Sequence, residues 1–117
     1  MLRIKRIYNA VSDEDGFRVL VDRIWPRGIS RERAKLDLWL KDIAPSDGLR
    51  VWFGHDQEKW GEFKEKYYKE LGDRDSLISL LLEKMSSGNV TLLFGAKDEQ
   101  FNNAVALKDY IAERPKS

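Results

Sequence analysis

The 117-residue sequence predicts an α/β domain: a small three-layer, Rossmann-like arrangement with a mainly parallel sheet of about four strands covered by helices. Two apolar runs, "FRVLVDRI" and "VTLLFGA", are continuous rather than alternating, as strands buried on both faces of a parallel sheet are. Between them, apolar residues return every three or four positions, the spacing of helices that cover a sheet. Strands alternating with helices imply parallel β/α units joined by right-handed crossovers. In such sheets ligands sit beyond the carboxyl ends of the strands.

Taken in order, "LRIKRIY" alternates Leu2, Ile4 and Ile7 imperfectly with basic residues and reads as a short strand, and "NAVSDEDG" as a polar turn. "FRVLVDRI" supplies Phe17, Val19, Leu20 and Val21 to a central strand. Pro26 lacks an amide proton and forces Trp25 away from helical angles, so this strand is expected to stop near Trp25. Ser30 can cap a short helix running through Lys35. "KLDLWLKDIAP" fits either period: Leu36, Leu38 and Leu40 alternate as in a strand, whereas Leu36, Trp39, Leu40 and Ile43 have helical spacing. The strand is the favoured reading, and Pro45 closes either form.

From Ser46 the pattern is helical. "SDGLRVWF" makes about two turns, Gly54 stops them and Asp56 caps the next helix. There Trp60, Phe63, Tyr67 and Leu71 form one apolar stripe for the core. "SLISLLLEKM" forms a further helix, apolar nearly all round and therefore expected to be well buried. After "SSGN" comes the strand "VTLLFGA". A last helix is expected to begin after Asp98, to carry Phe101, Ala104, Leu107 and Ile111 on one side, and to end at Pro115.

Composition narrows the function. The length fits one domain, residues 1–117, large enough to bury a core without disulfides or a metal. With no cysteine and a single histidine, His55, thiol catalysis is excluded and a protein-built zinc site is disfavoured. No metal and no cofactor is expected. No apolar run approaches the ~20 residues of a membrane span, and "MLRIKRIYNA" lacks a secretion-signal layout, so a cytoplasmic protein with no membrane partner is expected.

A formal net charge of +1 gives no wholesale attraction to nucleic acid, so any preference for anions must be local. Such a locality exists: Arg18, Arg23, Arg27, Arg31, Arg33 and Lys35 cluster, with only Asp22 and Glu32 as acids among them. A run of this kind is either a solvated face or a docking surface.

Three blocks, "VDRIWPRG", "WFGHDQEKWGEF" and "LLFGAKDEQFNNAVAL", carry a resemblance. Together they resemble the YeaO-like branch of the domain-of-unknown-function 488 family, over nearly the whole chain from Ile4 to about Tyr110. The resemblance implies a small cytoplasmic α/β domain with no established activity. The branch with longer chains has a late cysteine-containing motif; this chain lacks it, so no chemistry carries over.

Candidate site residues follow from the strand ends. Arg23 and Arg27, four apart across a proline turn, can converge on one phosphate or carboxylate, with Trp25 stacking or shielding and Gly28 leaving the approach open. The alternative is an internal ion pair with Asp22. His55 is a candidate general base beside Asp56, although Asp56 also serves as a cap. Lys97 and Asp98 follow the last strand at the same rim, where Asp98 is a second candidate base and Asn102 a ligand contact, or Asp98 caps the helix while Asn102 and Asn103, two weak helix formers near a helix start, hydrogen-bond to loops. "GAKDEQFNN" is not a Walker loop, because the glycine spacing and terminal lysine-serine pair are missing.

The expected function is therefore binding of an anionic, phosphorylated or nucleotide-like small molecule at the carboxyl ends of the strands. Hydrolysis or group transfer through His55 or Asp98 is left open. The alternative is a non-enzymatic nucleic-acid-binding or adaptor protein using Arg18 to Lys35.

Overall fold

The computed structural model describes residues 1–114. Its sheet comprises β1 (Leu2–Arg6), β2 (Phe17–Leu20), β3 (Leu38–Trp39) and β4 (Val90–Phe94), all parallel, in the order β1-β4-β2-β3. The helices are α1 (Arg31–Ala34), α2 (Asp47–Phe53), α3 (Trp60–Leu71), α4 (Asp75–Ser87) and α5 (Asn103–Glu113). No helix of the described residues is long and apolar enough to cross a membrane. β4 is central: Val90 lies opposite Leu2 on one side and Phe17 on the other, and all five of its residues are buried. A strand enclosed on both edges and both faces needs the continuous apolar run that "VTLLF" provides.

The two faces of the sheet differ. Val19, Val21, Leu92 and Phe94 face the larger core, where α2 to α5 contribute Phe53, Phe63, Tyr67, Ile78, Leu81 and Leu107. Leu20 and Leu93 face the other way, onto a small cluster with Ile7 and Ala34, flanked by Trp25 and Trp39. That thinner face has only the single turn of α1, begun where the Ser30 hydroxyl accepts the Arg33 N–H. A buried ionic network completes it. Asp15 sits in a 3-10 turn (Asp13–Asp15) and its carboxylate meets both Arg18 and Lys5, while the Arg18 guanidinium also donates to the Ala34 and Lys35 carbonyls. Asp15 and Arg18 are only 2% and 4% exposed, so each charge depends on the other for solvation.

Several expectations change in the structure. The connection from β1 to β2 contains only that 3-10 turn, so one parallel crossover lacks a helix. β2 ends at Leu20, five residues before Trp25, because after Val21 donates to the Leu93 carbonyl the next pairing group on β4's side goes to the Asp22 side chain. The ambiguous segment is a strand only over Leu38–Trp39, then a 3-10 turn over Lys41–Ile43. α4 buries only Ile78 and Leu81, leaving Leu82 38% exposed, since one of its sides packs on the sheet and the other meets solvent. α5 begins at Asn103 rather than just after Asp98, because Asn102 takes the capping position and accepts the Val105 N–H. Pro115 lies outside the described residues.

Burial alone would raise the Asp15 carboxyl, but the Ser12 amide, Lys5 and Arg18 outweigh it and hold it below the ordinary carboxylate value. A depressed folded-state value contributes stability at neutral pH that is lost as pH falls through the carboxylate range. Asp15→Asn should therefore lower the unfolding free energy at pH 7 by about 3–5 kcal/mol, leaving Arg18 buried without its counter-charge. In urea titrations the gap between wild type and variant should narrow steadily on acidification; a pH-independent gap would refute the ionic role.

Candidate ligand cleft

A cleft of about 510 Å³ opens at the carboxyl edge of the sheet, within the range of small-molecule sites. Its floor is set by the ends of β2 and β4 and the start of α5, which contribute Asp22, Gly95 and Asn103; Phe53 and Phe63, stacked at 4.3 Å, form an apolar wall. At the mouth stand Arg27, Arg50 and His55 with Ile24 and Val51, the last two 57% and 69% exposed.

Asp22 organises the floor. Its Oδ2 accepts the Gly95 N–H at 2.8 Å and its Oδ1 the Asn103 side-chain amide at 3.1 Å, while its carbonyl accepts the Trp39 indole N–H at 2.7 Å. Burial, the largest influence, pushes the Asp22 carboxyl above its ordinary value against the Gly95 amide, Asn103 and the His55 charge, which favour ionisation. Neither Arg23 nor Arg27 pairs with it. Arg23 instead donates to the Pro45 and Ala44 carbonyls, at 3.1 Å each, and fixes the segment that walls the cleft opposite Gly95. Those two bonds use part of its five-donor fork. Arg27 is exposed with its guanidinium in no ion pair among the described residues, and its carbonyl is held by the Tyr8 hydroxyl at 2.6 Å.

The remaining sequence-derived candidates separate. Trp25 borders the cleft, but its indole N–H donates to the Ile29 carbonyl at 2.8 Å and its ring packs edge-on against Trp39, with Arg31 over it at 4.6 Å. Gly28 lies outside the cleft: φ is +78° and a Cβ there would meet nothing within 4 Å, so the turn itself accounts for the glycine. His55 lines the mouth and also has a left-handed backbone, φ +59°, directly after Gly54 at +53°. Its neighbour Asp56 is turned away, capping the 3-10 turn Gln57–Lys59 through the Glu58 amide. Lys97 and Asp98 are not among the lining residues. Asp98 accepts the Gln100 and Phe101 amides, which hold its carboxyl below the ordinary value and make it a weaker base. Asn102 lines the cleft, yet both ends of its amide are engaged, by Val105 N–H and the Asp98 carbonyl.

Asp22, Asn103 and Arg50 are the positions that sequence reasoning passed over as contacts. Asp22 was legible only as a partner for the arginines, and Asn103 only as one of two weak helix formers; nothing in the sequence marks Arg50.

A parallel α/β domain with an arginine-rimmed cleft at its carboxyl edge is the class of protein that fold and site define. The chain belongs to the family described as the inactive DUF488-N3 subclade, which matches it over residues 1–117. It is similar to an uncharacterised protein of Mycobacterium tuberculosis (strain ATCC 25618 / H37Rv), 44% identical over 79 residues, 68% of this chain and 67% of that one. It is also similar to the uncharacterised protein YeaO of Escherichia coli (strain K12), 36% identical over 110 residues, 94% of this chain and 96% of that one. No solved structure matches.

The two arginines of "VDRIWPRG" should part company on mutation. Arg23→Ala orphans the partly buried Pro45 carbonyl, while Arg74 still donates to that of Ala44, and should cost roughly 1–3 kcal/mol of stability, whereas exposed Arg27→Ala should stay within about 0.5 kcal/mol of wild type. Chemical unfolding of the two variants checks this, and equal losses would contradict the assignment of Arg23 to the cleft wall.

Proposed function

We propose that the cleft binds an anionic small molecule, phosphorylated or nucleotide-like, with its charge at the mouth. The observation that carries this reading is the convergence of Arg23, Arg27, Arg50 and His55 on one cleft at the carboxyl edge, with neither Arg23 nor Arg27 in an ion pair. Arg50 meets only the exposed Asp47, at 3.5 Å, a contact of little strength. Guanidinium forks suit phosphate and carboxylate oxygens, and an apolar wall excludes water behind them.

Binding without turnover is the better-supported form. Asp98 stands outside the cleft with its basicity reduced, and the description of the family as an inactive subclade agrees. His55 then serves as a hydrogen-bonding group of the rim rather than a base.

The nucleic-acid alternative draws on exposed Arg27, Arg31, Arg33 and Lys35, but Arg18 faces inward to Asp15 and Arg23 to the cleft wall. Its cationic surface is therefore smaller than the sequence run.

A thermal-shift screen of nucleotides and phosphometabolites should find a stabilising ligand, and Arg27→Ala should weaken it roughly three- to fivefold in calorimetric titration, as expected for one exposed charged contact. Stabilisation unchanged by Arg27→Ala and Arg50→Ala would defeat the reading. Anisotropy titrations with DNA and RNA at two salt concentrations test the alternative, which requires a steep salt dependence.

A further inference from the structure

The floor of the cleft is chemically unlike its mouth. Two N–H donors there are spent: the Gly95 amide goes to Asp22 Oδ2, and the Asn103 side-chain amide donates both to Asp22 Oδ1 and to the Val21 carbonyl at 2.9 Å. Because the Asn103 nitrogen serves two acceptors, its orientation is fixed, and no donor among the described residues reaches its Oδ1. A carboxylate can accept about four hydrogen bonds, and Asp22 receives one on each oxygen. Lone pairs on Asp22 and Asn103 are thus left over. Among the described residues Asp22 also forms no ion pair.

Such a floor selects by what it accepts. An anion is repelled by Asp22. A nitrogen head that only donates, such as a primary ammonium or the paired N–H groups of an amidine-like base edge, satisfies every open acceptor and neutralises the carboxylate.

We infer that the ligand of this cleft has two unlike ends: a donor-only nitrogen head held by Asp22 and Asn103 at the floor, and a phosphate or carboxylate held by Arg27 and Arg50 at the mouth. This rests on the anion-binding reading above and adds the polarity of the ligand within the cleft. Gly95 belongs to the same device, since a Cβ there would come within 3.2 Å of Asp22 Oδ2 and 3.0 Å of Pro26 Cβ, displacing the carboxylate from its place.

Matched pairs of probes test it by calorimetry: 2-aminoethyl phosphate against ethyl phosphate, and guanosine 5′-monophosphate against inosine 5′-monophosphate, which lacks the exocyclic amino group. In at least one pair the amino-bearing member should bind roughly tenfold tighter, the size of one good charged hydrogen bond, and Asp22→Asn should erase the difference. Selectivity in the first pair identifies a free ammonium, and in the second a base edge. Should Asp22→Asn fail to fold, the comparison of pairs on the wild-type protein decides alone. If both members of both pairs bind equally, the head-group assignment is overturned and the anion site stands. If none of the four probes, nor pyrophosphate, binds, the anion-binding reading falls and this inference with it.

Discussion

The Asp22 carboxylate accepts the backbone amide that follows β4 and the side-chain amide that opens α5, while its own carbonyl takes the indole N–H of β3. One residue beyond β2 thereby joins the carboxyl ends of three strands to a helix 81 residues away in sequence. Were that carboxylate absent, the Gly95 amide would be a donor without a partner at the edge of the sheet, a penalty comparable with much of a small domain's net stability. The constraint runs in the other direction too. A side chain at Gly95 would press on Pro26 and Asp22 and oblige them to shift, so the proline, the carboxylate and the glycine pack as one unit. Cleft geometry and sheet geometry cannot vary independently here.

Away from this edge, the sheet solves a different problem on each face. The face covered by α2 to α5 is closed by apolar packing, including the aromatic run Phe53, Phe63 and Tyr67, the last with its hydroxyl on the Ile43 carbonyl at 2.6 Å. The opposite face has one helical turn to cover it, too little apolar surface for a second core of that kind. There Lys5, Arg18 and Thr91 point from three neighbouring strands toward the Asp13–Asp15 turn, and Thr91 donates to the Asp15 carbonyl at 2.7 Å. A buried ion network is not a stronger cement than hydrocarbon, but it is directional, and it holds a helix-free crossover in one place.

What could be read in the sequence follows the range of the interactions involved. The identity of β4 was legible because every residue in "VTLLF" carries the same message, and the α3 stripe because its period repeats. Ser30, Gly54 and Asp56 announced their turns through local chemistry alone. The end of β2 was not legible, since Pro26 constrains only Trp25, whereas the pairing is diverted by the Asp22 side chain through a partner 73 residues on. Starting α5 just after Asp98 failed for a related reason: Asp98 and Asn102 both have capping side chains, and both do accept amides, one closing a loop and the other starting the helix. Arg23 shows the limit most clearly. Two arginines four apart look equivalent in sequence, and only the position of the Ala44 and Pro45 carbonyls makes one a wall tie and leaves the other free.

The separation of charge along the cleft also bears on how binding free energy divides. Contacts at the mouth are made by exposed groups, where water and salt screen Arg27 and Arg50 and each contact is modest. Contacts at the floor are made where burial already disfavours the ionised Asp22, so a donor that restores its solvation gains more per hydrogen bond than the same donor would outside. Under the proposed reading the mouth would govern capture and its salt dependence, while the floor would govern which captured molecules stay. A surface that presents several guanidinium groups to passing anions needs such a second criterion, because arginine forks alone accept phosphate and carboxylate with little discrimination.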